Sequence, residues 1–170
     1  MTQSQLLLEA DRFYVERLQG LFDDHPRQTK DVIRHPGAVV ILPILDDGRI
    51  CLIRNYRPSV SQTLIELPAG TREQDESPLA TAQRELLEET GFQAEEFRLL
   101  STFYVSPGIL DEQMHLFVAR HLSLEQPSRE PGEQIENFIV SRKEALTMAR
   151  DGSIQDAKTL IGLLLFDQQG

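Results

Sequence analysis

The spacing of apolar residues changes several times along the chain, and each change marks an element. Residues 12–18 (RFYVERL) alternate weakly between apolar and polar, and residues 28–34 form a second such run, so each predicts a short strand. Asp23-Asp24-His25-Pro26 between them is a turn signal, which makes this N-terminal segment a hairpin. Residues 38–45 (AVVILPIL) are apolar without a break and rich in β-branched types, the pattern of a strand covered on both faces. Asp46-Asp47-Gly48 predicts a hairpin turn, with 49–56 as the return strand and 63–67 as a further strand. Ser77-Pro78 predicts a helix start, Leu79, Ala82 and Leu86 its apolar stripe, and Gly91 its stop. Strands follow at 97–105, 113–121 and 135–140, with a Pro/Glu/Ser-rich surface loop over 123–134. Helices over 142–150 and 155–166 close the chain, the last one predicted to pack Leu160, Leu163 and Leu164 on the sheet. Strands with one inserted helix and helices at the end make a mixed α/β or α+β layer fold.

Bulk composition narrows the function. A chain of 170 residues fits one domain with an adequate core, and 40% hydrophobic with 26% charged residues describes a folded protein. The net charge of -10 repels polyanions and argues against a nucleic-acid partner. Cys51 is the one cysteine and sits in the apolar run ICLI, so it is expected to be a buried core thiol. The four histidines lack zinc-ligand spacing. The first residues, MTQSQLLLEADR, carry no basic segment before the apolar stretch and do not resemble a signal peptide. The longest apolar runs are too short for a bilayer, so a cytoplasmic setting is the default expectation.

The chemistry concentrates in residues 70–92. Glu85, Glu88 and Glu89 fall at i, i+3 and i+4 of the expected helix and share a face. Carboxylates this close repel one another unless cations lie between them. Hard divalent ions take oxygen ligands, often together with substrate phosphates, and suit such a cluster. Glu85 and Glu89 point the same way and are the leading direct ligands; Glu88 beside them suits a further ion or the general base. Arg84 can clamp a carboxylate in a bidentate fork and orient it.

The same residues, Gly70, Glu76, Arg84, Glu85, Glu88, Glu89 and Gly91 with Leu86 and Phe92, fill every fixed and apolar position of the Nudix hydrolase signature. Seven fixed matches arise by chance on the order of once in a hundred million windows at ordinary residue usage, so an acidic solvated helix does not explain the pattern. The resemblance implies an α/β/α sandwich around a mixed sheet. It implies magnesium, with manganese or zinc as substitutes, held by Ala69 through its carbonyl and by Glu85, Glu88 and Glu89. It implies hydrolysis of a nucleoside diphosphate linked to another group. Glu76 takes a structural role in this scheme and Glu73 a supporting one near Gly70.

Three flanking segments resemble the ADP-ribose pyrophosphatase branch of that superfamily: Leu52–Pro58, Ile65–Gly70 and Ser106–Glu112. Asn55 stands where the branch more often has glutamine. Pro107 lies sixteen residues beyond Gly91, the position of the branch's characteristic proline. The branch implies Glu112 as a loop-borne catalytic base, with Glu88 as its competitor, Arg57 on phosphate, and Ser106 and Gly108 at the terminal ribose. Arg54 is expected to face solvent or a partner, and His115 to be structural. Residues 1–35 form an N-terminal β arm ahead of a hydrolase domain over 36–170. In the branch such an arm exchanges between subunits of a homodimer, with Phe13, Lys30 and Asp31 as candidate adenine contacts. The expected substrate is ADP-ribose, against GDP-mannose or another nucleoside diphosphate sugar, and against a non-catalytic nucleotide sensor.

Overall fold

The computed structural model describes residues 3–20, 28–125 and 135–169. Ten strands and three helices are seen there, in three sheets. An antiparallel N-terminal sheet is formed by β1 (Gln3–Glu9), β2 (Tyr14–Gln19) and β3 (Thr29–Arg34). The expected pairing of the second and third is therefore present, but β1 was not anticipated, and the turn over 23–26 lies outside the described residues.

The central sheet has the order β7-β4-β9-β8, formed by β4 (Ala38–Pro43), β7 (Ala69–Thr71), β8 (Phe92–Tyr104) and β9 (Gln113–Leu124). Strand β4 runs parallel to β9 and antiparallel to β7, so the sheet is mixed. All of β4 is buried. Val39 and Ile41 pack with Ala82 and Leu86 of α1 (Pro78–Thr90) on one face. Val40 and Leu42 pack on the other with Leu163 of α3 (Ala157–Asp167) and Ala145 of α2 (Arg142–Asp151). Helices thus cover both faces, and the unbroken apolar run of β4 is the consequence.

Strand β5 (Ile50–Arg57) departs from expectation. The Asp46-Asp47-Gly48 turn forms, but β5 meets β4's chain only at an Ile44–Ile50 bridge and then joins a separate sheet of order β10-β5-β6. Its partners are β6 (Gln62–Glu66) and β10 (Ile135–Val140), both antiparallel. A local turn signal fixes the reversal but not the strand's partner, and β4 already has β7 and β9 on its edges.

Two expected apolar stripes need correction at one residue each. Leu79 of α1 and Leu164 of α3 are both 43% exposed, while Ala82, Leu86 and Leu163 are buried and Leu160 packs against the core. Each exposed leucine sits at the edge of its helix's stripe, where the sheet no longer covers it. Cys51 is fully buried, and burial alone raises its thiol to about 12, so it is an inert core residue.

Candidate active site

Local sequence explains why α1 presents its carboxylates where it does. Ser77 caps the N-terminus, its side chain accepting from Ala80 N–H at 3.2 Å, and Pro78 opens the first turn. Gly91 ends the helix at φ 77°, a left-handed conformation that glycine adopts without strain, and donates to Leu87 O at 2.8 Å. With Ala82 and Leu86 anchored against β4, the face bearing Glu85, Glu88 and Glu89 turns toward β7 and lines a cavity of about 750 Å³.

Gly70 is required by close approach. A Cβ added there would overlap the Glu85 carboxylate group, so a side chain at position 70 and Glu85 in this pose exclude each other. Glu89 is 4% exposed, and its Oε2 accepts the Ala69 N–H at 2.9 Å. The β7 strand and the helix face are thus joined at both motif ends, and Ala69, Gly70, Glu85, Glu88 and Glu89 line one wall.

Arg84 is the hub of this wall. Its Nη1 donates to Glu85 Oε1 at 2.7 Å and Glu88 Oε2 at 2.9 Å. Its Nε and Nη2 donate to the two oxygens of Glu76 at 3.1 and 3.0 Å, and Nη2 also reaches Thr71 O at 3.3 Å. The Glu76 bond, above all, raises the Arg84 pKa further and fixes its charge. In return, Arg84, against a smaller opposing effect of burial, draws Glu76 down to about 2, with Thr81 and the Glu73 N–H assisting. Arg84 and Glu76 therefore hold each other as a brace.

Among the described residues, no three acidic, histidine or cysteine side chains stand in a ready metal-holding arrangement. Part of the reason is visible: Arg84 takes one oxygen of Glu85 and one of Glu88, and Ala69 N–H takes one of Glu89. The chemistry of the donor set still fits a hard divalent cation, since Glu85, Glu88 and Glu89 bring carboxylate oxygens to one cavity wall where glycine leaves room.

Other expected residues spread around this wall. Arg57 lines the main cavity and an adjoining one of about 270 Å³. Its side chain is 38% exposed, and its guanidinium clamps Glu66 in a bidentate pair, Nε to Oε1 at 2.8 Å and Nη2 to Oε2 at 2.6 Å. Glu112 lines the smaller cavity, with its carboxylate 3.5 Å from His35 Nδ1. Ser106 and Gly108 are exposed and line neither cavity of the single chain; the Ser106 carbonyl accepts from the Ile109 and Leu110 N–H groups. Phe13 lines the main cavity, whereas Lys30 and Asp31 do not, and Asp31 is taken by Arg17 at 2.7 and 2.8 Å across the β2–β3 pair. Arg54 stacks on Phe138 at 3.9 Å and pairs with Glu136, away from both cavities. His115 contacts Thr102 on the central sheet, and burial, then the nearby Arg72, lowers its pKa.

Several cavity residues carried no sequence signal. Arg12 lines both cavities, and Arg34, His35, Arg72 and Asp111 line the main one. Arg34 pairs with Glu16 at 2.5 Å and with Asp111 at 3.0 Å, and Asp111 also accepts the His35 N–H at 2.8 Å. Backbone bonds from Ile33 N to Ile109 O and from Asp111 N to Ile33 O complete this latch between β3 and the Pro107 loop. Only the pairing of distant segments reveals these roles.

Comparison with known proteins follows the same lines. The NUDIX domain model matches residues 34–161. The ADP-ribose pyrophosphatase of Bacillus subtilis (strain 168) is 39% identical over 132 residues, which cover 76% of this chain and 71% of that protein. A GDP-mannose pyrophosphatase of Citrobacter koseri is 32% identical over 169 residues, covering 89% of this chain and 87% of that protein. In fold, a crystal structure of an ADP compounds hydrolase superposes with a TM-score of 0.85 at 23% identity, covering 98% of this chain and 91% of that one. The braced carboxylate wall on α1, the glycine that admits it and the domain match over most of the sequence agree, and the chain belongs to the Nudix family of hydrolases.

Proposed function

We propose that the chain hydrolyses ADP-ribose at its pyrophosphate to give AMP and ribose 5-phosphate, with magnesium as the working ion. The observation that carries this is the main cavity. One wall holds Glu85, Glu88 and Glu89; the rest of the lining supplies Arg12, Arg34, Arg57 and Arg72 with the Phe13 ring from the arm. A diphosphate needs cations on both sides, and a purine needs a flat apolar partner. In this reading Ala69, Glu85, Glu88 and Glu89 hold the ion. Bound there, a divalent cation supplies neutralisation of the diphosphate and activation of a water. Arg84 holds Glu85 and Glu88 in place, and Arg57 turns its exposed guanidinium edge to phosphate. Glu112, in the adjoining cavity, or Glu88, on the ligand wall, takes the proton from water. Ser106 and Gly108 reach the terminal ribose in this proposal through movement of their loop or from a second subunit.

Strand β1 supports an arm of residues 1–35 that is exchanged within a homodimer. It is exposed along its whole length, with Leu6, Leu7 and Leu8 at 55%, 41% and 50%. Light scattering on the purified protein tests this; a monomer at all concentrations would refute it. The lone buried thiol Cys51 fits a reducing cytoplasmic setting.

The test of activity is AMP release from ADP-ribose in magnesium, with Glu89→Gln as the control. Wild-type AMP release no faster than the control would reject the reading. GDP-mannose is the second reading, favoured by the relative that matches 89% of this chain, and belongs in the same substrate panel.

A further inference from the structure

A second buried charged cluster lies beside the site, and the reaction as described does not use it. Glu66 is 1% exposed and Lys158 is 9% exposed. Lys158 Nζ donates to Glu66 Oε2 at 2.5 Å and to Asp156 Oδ1 at 2.9 Å. That same Glu66 oxygen also accepts from Arg57 Nη2 at 2.6 Å. Asp156 caps α3 by accepting from Thr159 N and Oγ1, and Thr159 Oγ1 accepts the Leu67 N–H at 2.7 Å. The first turn of α3 is thereby fastened to Glu66 and Leu67, the residues that lead through Pro68 into Ala69 and Gly70.

We infer that Lys158 is a positioning residue for the hydrolysis: acting through Glu66, it holds the Arg57 guanidinium at the junction of the two cavities, turned to receive a diphosphate. This deepens the role proposed above for Arg57 and rests on it. An isolated guanidinium–carboxylate pair has little attraction left for a third charge. Lys158 divides its charge between Glu66 and Asp156, and the share on Glu66 leaves Arg57 more positive potential toward the cavity than an isolated pair would have. The Lys158 bond also fixes the plane of the carboxylate, and a bidentate guanidinium must follow that plane. Among the described residues no hydrogen bond engages Arg57 Nη1, and the Arg57 side chain lines both cavities. If Lys158 only fastened α3 to β6, it would affect stability without affecting anion affinity.

Binding of inorganic pyrophosphate in the presence of magnesium, measured by calorimetry below the melting temperature of every variant, separates the two. Arg57→Ala and Lys158→Met are each expected to weaken binding about tenfold, with the double variant no weaker than Arg57→Ala alone. Lys158→Arg is expected to stay within about threefold of wild type, since the charge and donors remain. With ADP-ribose, the Lys158→Met variant raises KM more than it lowers kcat. Wild-type affinity in Lys158→Met, or losses that multiply in the double variant, would overturn the inference. Should Lys158→Met fail to fold, Glu66→Gln serves in its place, because it keeps the shape and removes the shared charge; wild-type affinity there overturns the inference equally. Undiminished affinity in Arg57→Ala removes both the Arg57 role and the inference. Absence of AMP from wild type rejects the ADP-ribose reading alone, because the pyrophosphate affinities still decide the place of Lys158.

Discussion

Two acidic clusters line the adjoining cavities that share Ala69 and Gly70, and they are balanced in different ways. On α1, the Arg84 guanidinium serves three carboxylates, Glu76, Glu85 and Glu88, and the buried Glu89 is answered by the Ala69 N–H. At the start of α3, two carboxylates, Glu66 and Asp156, meet two cations, Arg57 and Lys158. The second cluster is balanced in charge among these four groups, and it fastens α3 while its Arg57 lines the cavities. The first gathers four carboxylates with Arg84, three of them on a cavity wall, a donor set that suits a hard divalent cation. The same residue type serves fastening in one place and chemistry in the other, and the number of cations within reach decides which.

Removing charge from the α1 cluster gives the largest effect on activity. Glu89→Gln keeps the side chain's shape and its bond to Ala69 N–H but removes a ligand charge; turnover of ADP-ribose is expected to fall about 100- to 1,000-fold. Gly70→Ala acts on the same cluster by sterics, since the new Cβ displaces Glu85. Turnover within a few-fold of wild type for both variants would end the idea that this wall carries the reaction. In the balanced cluster, stability is lost alongside the anion affinity. Lys158→Met leaves the buried Glu66 and the partly buried Asp156 with one cation fewer, at a cost of about 3 kcal/mol in urea unfolding. Glu88→Gln, on the open wall, is expected to change metal-free stability by less than about 0.5 kcal/mol. Equal losses in the two variants would erase the contrast.

Much of this was legible in the sequence where a feature is local. Ser77, Pro78 and Gly91 fix α1 through bonds to near neighbours, and the glutamate spacing places three carboxylates on one face. The balanced cluster was not legible, because Glu66 and Lys158 are 92 residues apart and each alone reads as an ordinary charged residue. The same holds for Arg34 and Asp111, separated by 77 positions. Strand β5 forms where expected, but its pairing differs for a related reason: the turn before it is local, whereas its partners β6 and β10 are set by which sheet edges remain open. The reason for Gly70 was half visible. The motif asks for glycine there, and the structure supplies the reason, space kept for Glu85.

Metal addition sharpens the comparison next. A cation that binds only the folded open wall stabilises the protein by about 2.7 kcal/mol when present at a hundred times its dissociation constant. The shift in unfolding midpoint with magnesium is expected to be retained in Lys158→Met and lost in Glu89→Gln. A shift that survives Glu89→Gln would place the ion elsewhere.

A modest, pH-dependent effect concerns the brace between Glu76 and Arg84. Glu76 is drawn down from 4.5 to about 2, chiefly by its bond from Arg84. A carboxylate whose folded pKa is depressed adds stability that is complete above its unfolded value and disappears as pH falls through its folded value. The Glu76 contribution should therefore be intact at neutral pH and fade between about pH 4.5 and 2. After allowance for solvent screening at this partly open position, it amounts to about 1 kcal/mol. The measurement is the difference in urea stability between wild type and Glu76→Gln across that range, in metal-free buffer. A gap that stays constant down to pH 2 would mean that Glu76 acts by shape alone. Closure of the gap would show that its charge holds Arg84, and through Arg84 the two carboxylates of the open wall.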